Sequence, residues 1–403
     1  MIIKERKKFP VVLLVLVVVL VVALAIYFFW TKTREGGLGL LNVGTKGTKS
    51  TEFKSQEYSE RLFDLERKID DEADRGKLRA FEREVQEITK SPNSLAEEAQ
   101  GKLLLSRIFI YRYANNQSIV QGIELIKEVA KNEKYSSLWR AEAYSYMANL
   151  FRDVVEEDYL SAIWSDDYFK SLKDNEYPEV GTITNVCRAS FDLYPLPLCS
   201  YRVAAFDLAR LIEDKSAHNL SDDRKVWYLE DAKKKIAAGD AVSSKYPFPY
   251  LNLFDKGKIL LMQASRQTEL YLLGQVSKDF GPGAEAKYKE SVAIFNSGKA
   301  LPDQEEGFIT YWYVCFLAEV YGDERIDDIV KLTDQLVERY GKNRNKPFFL
   351  YMKKLNAMPR TNNNELVIKA TALLAQKNPR FKELMKELGW SEERLNTPFP
   401  KLP

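Results

Sequence analysis

Apolar side chains follow two different patterns along this chain. Residues Pro10 to Trp30 form an apolar run without a single charged side chain. Further along, apolar residues recur every three or four positions, for example at Leu62, Leu65 and Ile69. This spacing places side chains on one face of an α-helix, whereas runs that alternate with period two, as in a strand, are nearly absent. We therefore expect an all-α protein with one apolar helix ahead of many amphipathic helices.

The apolar run, residues 10–30, has the length of a transmembrane helix. As an α-helix it would span roughly 30 Å, which matches the hydrocarbon core of a bilayer. Tyr27 to Trp30 close it with the aromatic residues typical of a membrane interface. A cleaved signal peptide is the alternative, because Ala23-Leu24-Ala25 has the small-x-small form of a cleavage site. The apolar run continues beyond that site, and we therefore favour an uncleaved anchor.

The flanks of the anchor predict its orientation. The tail of residues 1–9 is basic, whereas Lys32 and Arg34 follow the anchor more thinly. The positive-inside rule then places the amino terminus in the cytoplasm and the rest of the chain on the extracytoplasmic side of the cell membrane. Residues 31–52 are rich in glycine, and we expect them to form a flexible linker.

The remaining chain divides into amphipathic segments. Residues 53–90 predict two helices separated near Gly76, which either cap the following domain or form a dimerising coiled-coil stalk. Residues 91–390 predict stacked helix pairs with turns rich in Pro, Gly, Asn and Asp. The stretch from Asp174 to Pro197 is predicted to be the longest irregular loop, and such loops often carry function. Residues 391–403 form a carboxy-terminal tail.

Several predicted helices carry a small residue followed by large ones at fixed offsets. The pattern occurs at Gly122, Ile123, Ile126 and Val129, begins again at Tyr159, Ala162 and Ile163, and recurs at Tyr288, Ser291, Val292, Phe295 and Gly298. A small residue lets neighbouring helices approach, and the large residue fills the adjoining groove. This pattern resembles the second helix of tetratricopeptide (TPR) repeats, although Ile110 stands where that family usually has Gly or Ala. The resemblance implies a TPR-like α-solenoid over residues 91–390.

Basic and acidic residues are nearly balanced. The chain has 60 Lys and Arg against 58 Asp and Glu, for a net charge of +2, and the two signs are interspersed. Nucleic-acid binding requires concentrated positive charge, so we expect no nucleic-acid partner. The basic residues beside the anchor are better explained by topology and by contact with anionic lipid.

Residues that carry catalysis or bind metals are scarce. His218 is the single histidine, in a polar run, and we interpret it as a solvated loop residue. One histidine also excludes the HExxH motif and histidine-rich metal sites. Gly281-Pro282-Gly283 is too short to bind phosphate and predicts a turn. Acidic pairs fit the first turns of helices, at Glu97-Glu98, Glu156-Glu157 and Glu305-Glu306. We therefore expect no catalytic residue, no metal and no cofactor.

The three cysteines differ in context. Cys187 and Cys199 bracket the segment CRASFDLYPLPLC. In an exported domain a disulfide between them would contribute roughly 3 kcal/mol in the chain-entropy model. The alternative is that they are two unrelated small apolar residues. Cys315 lies in an apolar helix, where we expect a buried thiol.

Aromatic residues make up 12% of the chain, and several crowd on single helices. Tyr311, Trp312, Tyr313 and Phe316 are one such group, and Trp139, Tyr144 and Tyr146 are another. They either fill the core between helices, which we favour, or line a concave groove for a peptide or sugar.

Two functions follow from these patterns, and the sequence assigns binding residues to neither. The favoured function is a non-enzymatic scaffold, tethered to the membrane, that binds protein or peptide partners. The alternative is an envelope carbohydrate-binding protein or glycan hydrolase with acidic residues in the hollow of the solenoid.

Overall fold

The computed structural model describes residues 58–71, 75–113, 115–153, 163, 165–173, 180–214, 220–244, 253–296, 306–340, 352–353, 356 and 362–398. All of them belong to one compact unit, Phe53–Pro403. Across these ranges the regular secondary structure is entirely helical, which confirms the all-α class. Each helix in the same ranges is too short or too polar to cross a membrane. The predicted anchor, the basic tail and the linker lie outside the described residues.

The described residues form sixteen α-helices, one π-helix and two 3-10 helices. In chain order they are α1 Glu60–Asp71, α2 Arg75–Lys90, α3 Leu95–Arg107, a π-helix Ile108–Tyr113, α4 Asn116–Lys131, α5 Ser137–Asp153, α6 Asp167–Lys170, α7 Val180–Leu193, α8 Pro197–Asp214, α9 Asp222–Ser243, α10 Leu253–Leu272, a 3-10 helix Lys278–Phe280, α11 Gly281–Asn296, α12 Glu306–Val320, a 3-10 helix Gly322–Arg325, α13 Ile326–Tyr340, α14 Asn362–Lys377, α15 Pro379–Glu387 and α16 Glu392–Leu395.

The apolar faces of helices α1 and α2 pack against the rest of the chain. Leu62 and Leu65 of α1 and Val85 of α2 share a core cluster with Leu104 and Leu105 of α3. Because α3 of the same chain covers these apolar faces, they are not available to form a dimerising coiled coil. The two helices are separate near Gly76, as predicted, although Gly76 itself is the second residue of α2.

Most helices pack against the helices next to them in sequence. Contacts join α3 to α4, α4 to α5, α7 to α8, α8 to α9, and α10 to α11. This arrangement is the stacking that the periodicity predicts. One contact departs from a linear stack, because α14 packs against both α12 and the much earlier α8. In a strictly linear solenoid each repeat touches only its neighbours.

The prediction of a long irregular loop from Asp174 to Pro197 was wrong over most of its length. Helix α7 occupies Val180–Leu193, and α8 begins at Pro197 after a short connection. Thr182 and Thr184 of α7 are buried, and α7 packs against α5. Tertiary packing thus outweighs the weak helix propensity of threonine. Pro197 suits the first position of α8, where no backbone N–H is needed.

The predicted aromatic groups lie mainly in the core. Tyr311, Tyr313 and Phe316 are buried in one cluster with Cys315, which confirms the buried thiol. Trp139 and Tyr144 are buried in a second cluster, and Tyr146 packs against it. The turn predicted at Gly281-Pro282-Gly283 was wrong, because these residues form the first turn of α11.

Candidate functional site

The π-helix Ile108–Tyr113 is the most unusual backbone feature of the described chain. It continues α3 directly for six residues. π-Helical turns are rare and occur frequently at functional sites, because the wider turn changes the directions of the side chains that follow. Ile108 and Ile110 point into the core, whereas Phe109 and Tyr113 are partly exposed and Tyr111 is exposed. The π-helix therefore presents three aromatic rings to the surface, and two of them, Phe109 and Tyr113, lie next to each other.

These two rings form one wall of a surface groove of about 970 Å³, hereafter the π-helix groove. Its residues come from α2, the π-helix, α4 and the connection between them. They are Glu82, Gln86, Phe109, Tyr113, Asn115, Gln117, Ser118, Val120, Gln121, Glu124, Leu125 and Glu128. A second depression of about 380 Å³ shares Glu82, Gln86, Tyr113 and Asn115 with it and adds Arg79 and Arg83.

The π-helix groove combines three kinds of chemistry. Phe109 and Tyr113 have ring centroids 6.2 Å apart, and Val120 is 38% exposed, so part of the wall is apolar. Four side-chain amides supply hydrogen-bond donors and acceptors, at Gln86, Asn115, Gln117 and Gln121. Three carboxylates complete it, at Glu82, Glu124 and Glu128, and none of the described lining residues is Lys or Arg. The groove is therefore apolar on one side and acidic overall.

Hydrogen bonds fix the rim of the groove. The Tyr113 hydroxyl donates to Glu82 Oε2 at 2.5 Å, and Gln86 Nε2 donates to Glu82 Oε1 at 2.9 Å. Burial and the bond to Glu82 raise the pKa of Tyr113 to about 12, so the phenol stays protonated. Asn115 and Ser118 form a reciprocal capping box at the start of α4. These contacts hold the wall before any ligand arrives.

Lysines partly neutralise the acidic side. Lys127 Nζ lies 2.8 Å from Glu124 Oε1, and Lys102 Nζ donates to Glu128 Oε1 at 2.5 Å. Neither lysine lines the groove. Both ion pairs involve an exposed glutamate, so they weaken the negative potential without abolishing it.

Cys187 and Cys199 are brought together by α7 and α8. Their Sγ atoms lie 3.0 Å apart, and both residues are fully buried as free cysteines. Burial raises the pKa of the Cys187 thiol well above its usual value. Burial acts on Cys199 as well, but Cys187, the Arg202 cation and the hydroxyls of Ser190 and Ser145 together lower its pKa. The sequence indicated the pair by spacing, and the fold places the two thiols in contact.

A pair of carboxyl groups, one buried and one partly buried, was missed from the sequence. Glu319 of α12 is 7% exposed, and burial with the nearby charge of Glu269 raises its pKa to about 8. Glu269 of α10 is held by Arg266, with Nε to Oε2 at 2.6 Å. Glu319 affects the pKa values of Tyr288 and Cys315, which are both buried. A lone glutamate in the apolar run TYWYVCFLAEVY was the available signal.

The other candidate residues have structural roles or lie elsewhere. His218, the pair Glu156-Glu157 and Glu305 lie outside the described residues. Glu97 and Glu98 occupy the first turn of α3, as expected. Glu97 accepts hydrogen bonds from the Ser59 hydroxyl and Arg61, and Glu98 pairs with lysines. Within the described ranges, no group of three or more His, Cys, Asp or Glu could hold a metal ion.

No family model, curated protein or solved structure matches this chain. Its function is therefore inferred from its own geometry.

Proposed function

We propose that this protein is a non-enzymatic helical-repeat scaffold, TPR-like in its stacked helix pairs, that binds protein or peptide partners. In this proposal Pro10 to Trp30 tether it to the cell membrane with the helical domain on the extracytoplasmic side. The observation that carries the proposal is the π-helix groove of about 970 Å³. Helical repeats commonly bind partners through such surfaces, formed by side chains of successive helices.

The lining of the groove suits an extended segment that carries Lys or Arg beside an apolar residue. An extended peptide makes no hydrogen bonds within its own backbone. Side-chain amides such as Gln86 and Gln121 can supply them to the peptide N–H and C=O groups. Phe109 and Val120 offer apolar contact. Glu124 and Glu128 attract a cation, which favours correct orientation and faster association more than raw affinity.

Binding of fluorescent peptides to the full-length protein in detergent tests this proposal. Every peptide contains one leucine. In each pair of peptides, the residues beside this leucine are Lys in one peptide and Glu in the other, and the rest of the sequence is identical. We expect tighter binding of the basic peptides and a weaker preference at high salt, because the charges are exposed. The substitutions Glu124→Lys and Glu128→Lys together should reverse the preference.

A matched control is the double variant Glu230→Lys/Glu383→Lys, which reverses two exposed glutamates that pair with Lys233 and Lys386 and lie outside the groove. This variant should leave peptide binding unchanged. Equal effects of both charge reversals would show that the overall charge of the protein, rather than the groove, selects the peptide. Absence of binding by every peptide would remove the groove as the binding site.

The alternative, an envelope carbohydrate-binding protein or glycan hydrolase, requires carboxyl groups that face an open hollow. The pair Glu269 and Glu319 is the candidate for such a role, because burial raises the pKa values of both carboxyl groups. Its location among buried residues such as Tyr288 favours a structural role instead. Release of reducing sugar from cell-envelope glycan by the purified protein, abolished in Glu319→Gln, would support the alternative over the scaffold.

A further inference from the structure

We propose that Cys187 and Cys199 form an intramolecular disulfide that joins α7 to α8, and that Cys199 is the thiol that reacts first. This inference is independent of the proposed binding function, because it depends on a different part of the fold.

The two thiols are adjacent and isolated from other thiols. Their Sγ atoms lie 3.0 Å apart, although the residues are 12 positions apart in sequence. The short connection of Tyr194 to Leu196 joins α7 to α8 and keeps them close. Cys315 belongs to a separate core cluster, with no residue in common. The fold therefore selects a single pairing among the three cysteines.

Two features of helix α8 favour the thiolate form of Cys199. It is the third residue of α8, where the helix dipole favours a thiolate. Arg202 follows one turn later, and its cation lowers the pKa of Cys199. Because both features are local to α8, they act as soon as this helix forms, before α7 packs against it. Arg202 also lowers the pKa of Cys187, but burial outweighs it there, and Cys187 lies in the middle of α7, away from the positive end of a helix dipole.

Arg202 supports this assignment through its unusual surroundings. Its Nη2 donates to Asn149 Oδ1 at 2.7 Å, whereas its Nη1 is buried without a hydrogen-bond acceptor. Arg202 as a whole is only partly buried, but a buried guanidinium N–H such as that of Nη1 normally faces a carboxylate. Here it faces the two thiols instead, and a thiolate is the anion that this position can supply.

The oxidant for this disulfide is a second disulfide, such as oxidised glutathione or a protein oxidant, which reacts by thiol–disulfide exchange. The Cys199 thiolate attacks one donor sulfur, which forms a mixed disulfide and releases the first donor thiolate. The Cys187 thiolate then attacks the Cys199 sulfur and releases the second donor thiolate. The two protons lost by the cysteines protonate the donor thiolates. Both cysteines are fully buried in the folded protein, so exchange precedes final packing and the product is then shielded.

Refolding of the full-length protein tests the pairing without depending on its location in a cell. The protein is denatured, reduced, refolded in detergent with a glutathione redox buffer, and alkylated with N-ethylmaleimide in denaturant. Peptide mass spectrometry should show Cys187 linked to Cys199 and Cys315 alkylated. The variant Cys315→Ser should keep the link. Alkylation of all three cysteines, or any link to Cys315, would overturn the proposal.

The order of reaction is tested with single cysteine variants under mildly denaturing conditions. Cys187→Ser, which keeps Cys199, should form the mixed disulfide with glutathione several-fold faster than Cys199→Ser. In the Cys187→Ser background, Arg202→Gln should slow the reaction, and Arg202→Lys should restore most of the rate. Equal rates for the two single variants would overturn the assignment of Cys199 as the first thiol.

Discussion

Gly122 of α4 lies so close to Ile110 of the π-helix that a side chain at position 122 would not fit. A Cβ atom there would lie 2.6 Å from Ile110 Cγ1 and 2.9 Å from the carbonyl oxygen of Ser106. The resemblance to TPR repeats implied a small residue at this position, and Ile110 departs from that family. The structure shows that the two features are complementary, since Ile110 fills the space beside the glycine.

We predict that Gly122→Ala destabilises the protein. Alanine favours a helix by about 1 kcal/mol over glycine, but the added methyl group would overlap a backbone oxygen that cannot rotate away. The expected net loss is about 1–3 kcal/mol in the free energy of unfolding, measured by urea denaturation.

Gly283→Ala is the matched control, because a Cβ at Gly283 in the first turn of α11 would meet no atom within 4 Å. It should be neutral or stabilise by about 0.5–1 kcal/mol. If both variants change the free energy of unfolding equally, the close packing of Gly122 against Ile110 and Ser106 is not the cause of the destabilisation.

We predict that Glu319 makes stability fall with rising pH. Its pKa is about 8 in the folded protein, against 4.5 ordinarily, so the folded state binds a proton that the unfolded state lacks between these values. Stability is therefore full below about pH 4.5 and declines up to about pH 8. Glu319→Gln should flatten this decline, measured as the free energy of unfolding between pH 5 and 9 (about 1.4 kcal/mol for each pKa unit).

The pKa of Glu319 also depends on the nearby charge of Glu269. Glu269 raises its pKa by repulsion, so Glu269→Gln should narrow the pH range of the decline. An identical pH dependence in the wild type and Glu319→Gln would contradict a protonated Glu319.

We predict the opposite pH dependence for Glu285. Burial raises its pKa, but hydrogen bonds from Lys289, Arg325 and Tyr313 outweigh burial and lower it to about 2. Its contribution is present above about pH 4.5 and is lost as the pH falls toward 2. Glu285→Gln should cost about 1.5–3 kcal/mol at neutral pH and weaken the loss of stability in acid.

An exposed ion pair provides the comparison for Glu285. Glu324 lies 2.8 Å from Lys278, but its side chain is 67% exposed. Glu324→Gln should therefore cost less than about 1 kcal/mol. Similar losses for both variants would show that burial does not strengthen the contacts of Glu285.

We predict that the oxidised protein is more stable than the reduced protein. A disulfide that closes the short loop between Cys187 and Cys199 restricts the unfolded chain and contributes about 3 kcal/mol. Urea denaturation with and without reductant measures the difference. The double variant Cys187→Ser/Cys199→Ser should show no response to reductant, whereas Cys315→Ser should respond like the wild type.

The sequence by itself determined most of the helices. The spacing of Leu62, Leu65 and Ile69 predicted an amphipathic helix, and all three residues are buried on one helix, α1. An amphipathic helix is a local pattern, because each apolar face repeats every three to four residues. The same locality made Gly122 visible as a packing residue before its partner was known.

Only the tertiary structure decided how distant surfaces meet. Helix α7 contains two buried threonines and packs against α5, and no local pattern in the sequence records this burial. The π-helix groove requires α2 beside α4, and the electrostatic effect of Glu269 on Glu319 requires α10 near α12. The sequence showed that Cys187 and Cys199 were close along the chain, but the packing of α7 on α8 made their thiols touch. Such contacts depend on which faces are buried together, and burial is a property of the whole fold.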